Sequence, residues 1–69
     1  MDTRKFWRDL SEEQQQQLAE GAELSVKYLY LIFYGHKIPS ADKAAEIERS
    51  ATNMGLHVPR ETFRPETFA

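Results

Sequence analysis

The groups in this chain that could do chemistry are scattered. His36 and His57 stand alone, without the clustered ligands a zinc site needs. Glu12 and Glu13, like Glu46 and Glu48, make poor acid–base pairs, because adjacent and i,i+2 side chains on a helix point apart. No cysteine occurs in the 69 residues, so thiolate catalysis, Cys-ligated zinc and disulfides are all excluded. No Gly-rich phosphate loop and no Ser-His-Asp set is evident. The chain is therefore expected not to be an enzyme, and to need no cofactor, metal or small-molecule ligand.

A second kind of chemistry, recognition, has a better foothold in Ser25 to Tyr34. With Leu29 at zero on a helical wheel, Ser25, Val26, Leu29, Ile32 and Phe33 fall within about 60° of one side. Lys27, Leu31 and Tyr34 lie opposite, with Tyr30 beside them and Tyr28 on the other flank. One face can feed a core, yet the face opposite is still apolar and aromatic. An ordinary solvated helix would carry Glu, Lys or Gln there. A partner is expected to cover it, since exposed apolar clusters commonly mark interaction surfaces.

The elements that must position this face are helical throughout. Gly35, Pro39, Gly55, Pro59 and Pro65 punctuate the chain, and no stretch of period-2 alternation appears between them. A first helix is expected over Thr3 to Asp9, with Phe6, Trp7 and Leu10 inward. Ser11 followed by Gln14 is a capping-box signature for a second helix, Glu12 to about Gly21, with Leu18, Ala19 and Ala22 inward. Its first-turn acids suit the helix dipole. After a break near Glu23, Ser25 can cap a third helix, Val26 to Tyr34, which Gly35 ends in a left-handed conformation. Pro39 and Ser40 start a fourth, Ala41 to about Thr52, with Ala44, Ala45, Ile47, the stem of Glu48 and Ala51 inward. A fifth helical turn can follow Pro59. The fold class is all-α, a compact bundle of about five short helices, and residues 1–69 leave room for a single domain only.

Charge and hydropathy bound the setting. The net charge is −2, which argues weakly against a polyanion, but its distribution is uneven. Residues 11–23 carry four glutamates and no base, whereas residues 24–43 carry three lysines against Asp42. Arg4, Lys5, Arg8 and Asp9 interrupt the N-terminus, so no secretory leader is expected. The longest apolar run, Tyr28 to Tyr34, falls far short of the roughly 20 residues needed to span a bilayer. A soluble, cytoplasmic protein with no membrane partner is expected.

The spacing of several residues resembles a known family. Leu18-Ala19, Ser25, Tyr28-Leu29, Ile32, Gly35 and Pro39-Ser40 follow the helix-turn-helix pattern of Cro and lambda-repressor-like DNA-binding proteins. The segment LAEGAELSVKYLYLIFYGHKIPS is similar to small phage Cro proteins and YdaS-like regulators. Ile47-Glu48 with Ala51-Thr52, then Val58, Arg60 and Arg64-Pro65, look like the fourth helix and C-terminal turn of those proteins. The likeness runs from about Thr3 to Phe68, with the helix-turn-helix over about 12–34. Two departures stand out. Glu23 takes the place of the usual turn glycine, with Gly21 two residues earlier, and the third helix lacks the Gln, Asn and Arg that commonly read bases.

The resemblance implies a transcriptional regulator, a Cro-type repressor acting on operator DNA in the bacterial cytoplasm at the nucleoid. The third helix would enter the major groove while the second crosses the backbone. Val26, Lys27 and Leu31 would then occupy base-reading positions, Lys27 on guanine and the two apolar side chains on thymine methyls. Gln15, Ser25, Tyr28, Tyr34, His36 and Lys37 would be the phosphate contacts. So short a reading helix implies a homodimer at least on DNA, with Val58, Phe63 and Phe68 as candidates for the pairing surface. The competing expectation is a protein-interaction module on the same fold, antitoxin-like or regulator-binding, that uses the Tyr/Leu face.

Overall fold

Each helix starts where a short polar side chain can occupy the free backbone N–H groups of its first turn. In the computed structural model, which describes residues 1–63, these starts define α1 (Thr3–Asp9), α2 (Glu12–Gly21), α3 (Val26–Phe33) and α4 (Ala41–Asn53). Asp2 accepts from the Lys5 N–H at 3.1 Å, Ser25 from Tyr28 at 3.0 Å and Ser40 from Lys43 at 3.2 Å. At α2 the cap is reciprocal. Ser11 Oγ accepts from the Gln14 N–H at 3.1 Å, and Gln14 Oε1 accepts from the Ser11 N–H at 2.9 Å. A cap of this kind is worth about 1 kcal/mol.

Three of the helices also end alike, with a left-handed residue that folds the chain back on the last turn. After α3 that residue is Gly35 (φ 82°), and the His36 N–H reaches Leu31 O at 2.8 Å. After α4 it is Gly55 (φ 78°), with the Leu56 N–H donating to Ala51 O at 2.8 Å. After α2 the same geometry falls on Glu23 (φ 57°), and the Leu24 N–H donates to Ala19 O at 2.9 Å. Glu23 thus adopts a conformation that costs an L-residue on the order of 1 kcal/mol.

The four α-helices and a 3-10 turn at Arg60–Thr62 form a compact all-α body of 31 × 21 × 19 Å, and no strand is present among the described residues. The last expected helix is this three-residue turn, while α3 stops one residue early and α4 runs one residue further than its expected end. Trp7, Leu18, Ala19, Ala22, Leu29, Ile32, Phe33, Ile47, Ala51 and Val58 share one core. Phe33 is its aromatic hub. It stacks on Phe6 at 5.5 Å and on Trp7 at 5.3 Å, and it meets Phe63 edge-on at 5.3 Å.

Several side chains settle elsewhere than their wheel angle suggests. Ser25 and Val26 are exposed, because a cap and a first-turn residue sit at the end of α3, beyond the turns that pack. Ala45 is half-buried and lines an open groove along α4. Glu48 turns its carboxylate to Arg60, accepting from the backbone N–H at 3.0 Å and from Nε at 2.9 Å, and so ties the C-terminal turn to α4. Those two hydrogen bonds, side chain first, hold the Glu48 pKa below its ordinary value. Val58 is sealed in the core and so is not free to form a pairing surface, while Phe63 is half-buried with its ring edge-on to Phe33. Phe68 lies outside the described residues.

α2 approaches α4 closely at Gly21. A Cβ there would stand 2.1 Å from Ser50 Oγ and 3.0 Å from Ser50 Cβ. The buried Ser50 hydroxyl donates to Leu18 O at 2.9 Å, so α2 and α4 touch through a glycine and a serine.

Candidate nucleic-acid interface

α3 is held from below and left open above. Leu29, Ile32 and Phe33 anchor it in the core. On the other side Tyr30 is 41% exposed, Lys27 is exposed, and Leu31 and Tyr34 are half-buried, while Val26, 36% exposed, is uncovered because it stands at the N-terminal end of the helix. The rings of Tyr30 and Tyr34 pack against each other at 4.6 Å. Their spacing of four residues puts them on one strip of the helix. α3 carries no acidic residue.

Cations bracket this face. The Arg4 guanidinium, from α1, lies 5.9 Å from the centre of the Tyr34 ring. The Lys37 ammonium, from the segment after α3, lies 5.7 Å from the Tyr28 ring. Tyr28 and Tyr34 are separated by roughly 120° around α3 and about 9 Å along it. The two cation–ring contacts therefore stand on opposite flanks, with Lys27 between them. Such contacts are worth about 0.5–1 kcal/mol at exposed sites, enough to bias where each positive charge rests.

The other residues expected at a phosphate are distributed less evenly. The Ser25 hydroxyl is exposed at the start of α3 but already accepts from the Tyr28 N–H. His36 and Lys37 are exposed in the segment after α3. Gln15 is half-buried, and its amide donates to Trp7 O at 3.0 Å, which fastens α1 to α2. Tyr28 packs partly on the core. Sequence reasoning missed two residues here. Arg4 was legible only in that it precedes Trp7 by three positions and so shares the side of α1 that meets α3. Ile38, 72% exposed, follows the lysine on Tyr28 and had no periodic signal, because it lies outside any helix.

The rest of the surface differs in character. Glu13, Gln16, Gln17 and Glu20 line a shallow acidic and amide-rich depression on α2. An open groove of about 550 Å³ follows α4 and contains His57 and the ion pairs Glu46–Arg49 and Glu48–Arg60. Among the described residues no three of His, Cys, Asp or Glu are placed to hold a metal ion, and no helix is long and apolar enough to cross a membrane. Comparison with protein-family models, with curated proteins and with solved structures finds no match to this chain.

Proposed function

We propose that this protein is a sequence-specific DNA-binding transcriptional regulator of the Cro type, with α2 and α3 as its helix-turn-helix and α3 as the reading helix. The observation that carries the reading is the acid-free outer face of α3, bracketed by Arg4 and Lys37. The major groove of B-DNA is about 12 Å wide, admits one helix, and is walled on both sides by phosphates. A helix with cations on both flanks and a reading surface between them matches that shape and charge. The left-handed Glu23 between α2 and α3, where the related pattern has glycine, supports the same assignment.

In this reading Lys27 donates to guanine O6 or N7, and Val26 and Leu31 stand with it at the base edges. Arg4, Lys37, Ser25, His36, the tyrosine hydroxyls of Tyr28 and Tyr34, and the second amide hydrogen of Gln15 hold the phosphates, fixing register without reading sequence. One short helix with one lysine reads only a few base pairs. Specific sites are typically separated from non-specific DNA by about 4–10 kcal/mol, so two copies on half-sites one helical turn apart are required. Residues 1–69 act as one domain, in the cytoplasm, without catalysis or cofactor.

Selection of bound duplexes from a random pool at moderate salt tests the proposal, and recovery of a dyad-symmetric site is the expected result. The exposed Tyr30 and Ile38 favour one rival, a protein-interaction module that offers the same face to another protein. Salt separates the two. Binding through several phosphates weakens steeply as ionic strength rises, whereas an apolar protein interface does not. A 1:1 complex on the selected duplex, seen by ultracentrifugation, would remove the dimer.

A further inference from the structure

The donors and acceptors on α3 are few, and that restricts what it can read. Leu29, Ile32 and Phe33 are committed to the core, which leaves Val26, Lys27, Tyr28, Tyr30 and Leu31 on the remaining surface. Only the lysine ammonium and two phenolic hydroxyls among these make hydrogen bonds. Tyr28 is partly packed on the core and carries Lys37 on its ring, which places it at the edge of the face. Adenine is typically read by a side-chain amide that donates and accepts at once, and cytosine by a carboxylate; α3 carries neither group, and its only side-chain acceptors are the phenolic oxygens of its tyrosines. A lysine can recognise the two acceptors of guanine. The one other base-specific feature of the major groove is apolar, the C5-methyl group of thymine.

We infer that α3 selects its site chiefly through C5-methyl groups in the major groove, with Val26 and Leu31 as the residues that cover them. The inference rests on the DNA reading proposed above and names what that site reads. Val26 stands at the first residue of α3, more than a third exposed, at the end that a reading helix presents to the bases. Leu31 is half-buried on the opposite face and lies outside the core cluster. An apolar side chain seated against a base edge without a methyl gains little and covers polar atoms. Against a methyl it removes apolar surface from water on both partners. Uracil lacks that methyl, and 5-methylcytosine carries it at the same place in the groove, so both bases report directly on this contact.

The test is a pair of selections with the full chain, one from a random thymine-containing pool and one from a pool with deoxyuridine in place of thymidine throughout. The thymine pool is expected to yield thymine-rich half-sites, and the uracil pool to enrich none of them. In the recovered duplex, thymine-to-uracil exchange at each covered position should weaken binding about fourfold, the factor for burying one methyl-sized group. Cytosine at such a position should bind more weakly than 5-methylcytosine by a similar factor. Val26→Ala, at an exposed position that leaves the fold intact, should abolish the uracil penalty at one position. Leu31→Ala should abolish it at another. A uracil duplex bound within twofold of its thymine parent overturns the methyl inference and leaves the DNA reading standing. Failure of both pools to yield any bound duplex overturns both.

Discussion

The two faces of α3 are made from the same kinds of residue and have opposite fates. Leu29 and Phe33 are sealed and Ile32 nearly so, while Val26 and Tyr30, on the same eight-residue helix, remain more than a third exposed. Hydrophobicity along the sequence does not separate them. What separates them is whether another element of the chain has residues to offer. Phe6, Trp7 and Phe63 converge on the inner face, whereas Arg4 and Lys37 reach the flanks of the outer one, each as a charge over a ring. The inner face contributes to stability. The outer face contributes less, through the half-buried Tyr28 and Tyr34 that pack on the core's edge.

The largest test of that division is at Phe33. Phe33→Ala removes the ring that three other aromatics pack against and should cost about 3–5 kcal/mol. A core of this size rarely supplies more than about 3–5 kcal/mol in total. The helical circular dichroism signal should therefore be largely lost at 37 °C. A variant that melts within a few degrees of the parent would mean that the inner face is not what holds α3.

Two lysines sharpen the contrast from the other side. Lys27→Ala should relax base preference at one position of the selected site, by about 1–3 kcal/mol. Lys37→Ala should weaken all sequences alike and lower the salt slope by about one unit. Neither should move the melting temperature by much, because both side chains are exposed. Identical effects on preference and slope would break the assignment of Lys27 to the middle of the face and Lys37 to its flank.

The α2–α4 contact is the interior counterpart. Gly21→Val should cost roughly 1–3 kcal/mol, as overpacking does, because Ser50 Cβ cannot rotate out of the way and its hydroxyl is engaged with Leu18 O. A thermal melt reads it. An unchanged midpoint would show that α4 can retreat, and that the glycine is not what sets the spacing.

How far the sequence foretold all this depends on the range of each interaction. The caps at Ser11, Ser25 and Ser40 and the left-handed Gly35 act within three or four residues, and the type and spacing of those residues were enough to place the helix ends. Leu18, Ala19, Leu29, Ile32 and Ala51 followed from helical period. Contacts that join distant parts left no trace in period. The Ser50–Leu18 hydrogen bond spans 32 positions and the Glu48–Arg60 clamp spans 12. In the sequence Gly21 stands only as a glycine two residues before the turn, yet it sits in a helix–helix contact, and the left-handed turn residue is Glu23. Arg4 reached the candidate site only because α1 docks on α3. The site was legible as an uncovered face with Lys37 beside it; Arg4 on its other flank was not.

Glu23 offers a smaller and opposite effect. Glycine there removes the left-handed strain of roughly 1–2 kcal/mol but adds about 0.5–1 kcal/mol of freedom to the unfolded chain. Glu23→Gly should thus stabilise by about 0.5–1 kcal/mol, a rise of several degrees in a domain of this size. It is the substitution expected to raise stability while leaving the α3 surface untouched. A fall in melting temperature would mean that the Glu23 carboxylate, close enough to act on Arg49 of α4, outweighs the strain.

The smallest expected effect on folding carries the comparison furthest. Val26→Thr keeps the branched shape, and the two residues have similar helix propensity. The side chain is exposed, which leaves no packing to lose, and stability should stay within about 0.5 kcal/mol of the parent. The same change places a hydroxyl where a methyl stood on the proposed reading surface. Discrimination between duplexes should fall while the melt is unchanged. That dissociation of binding from stability is what a face outside the core must show. If Val26→Thr instead lowered the melt by more than about 1 kcal/mol, Val26 would belong to the fold, and the outer face would begin further along α3, at Lys27.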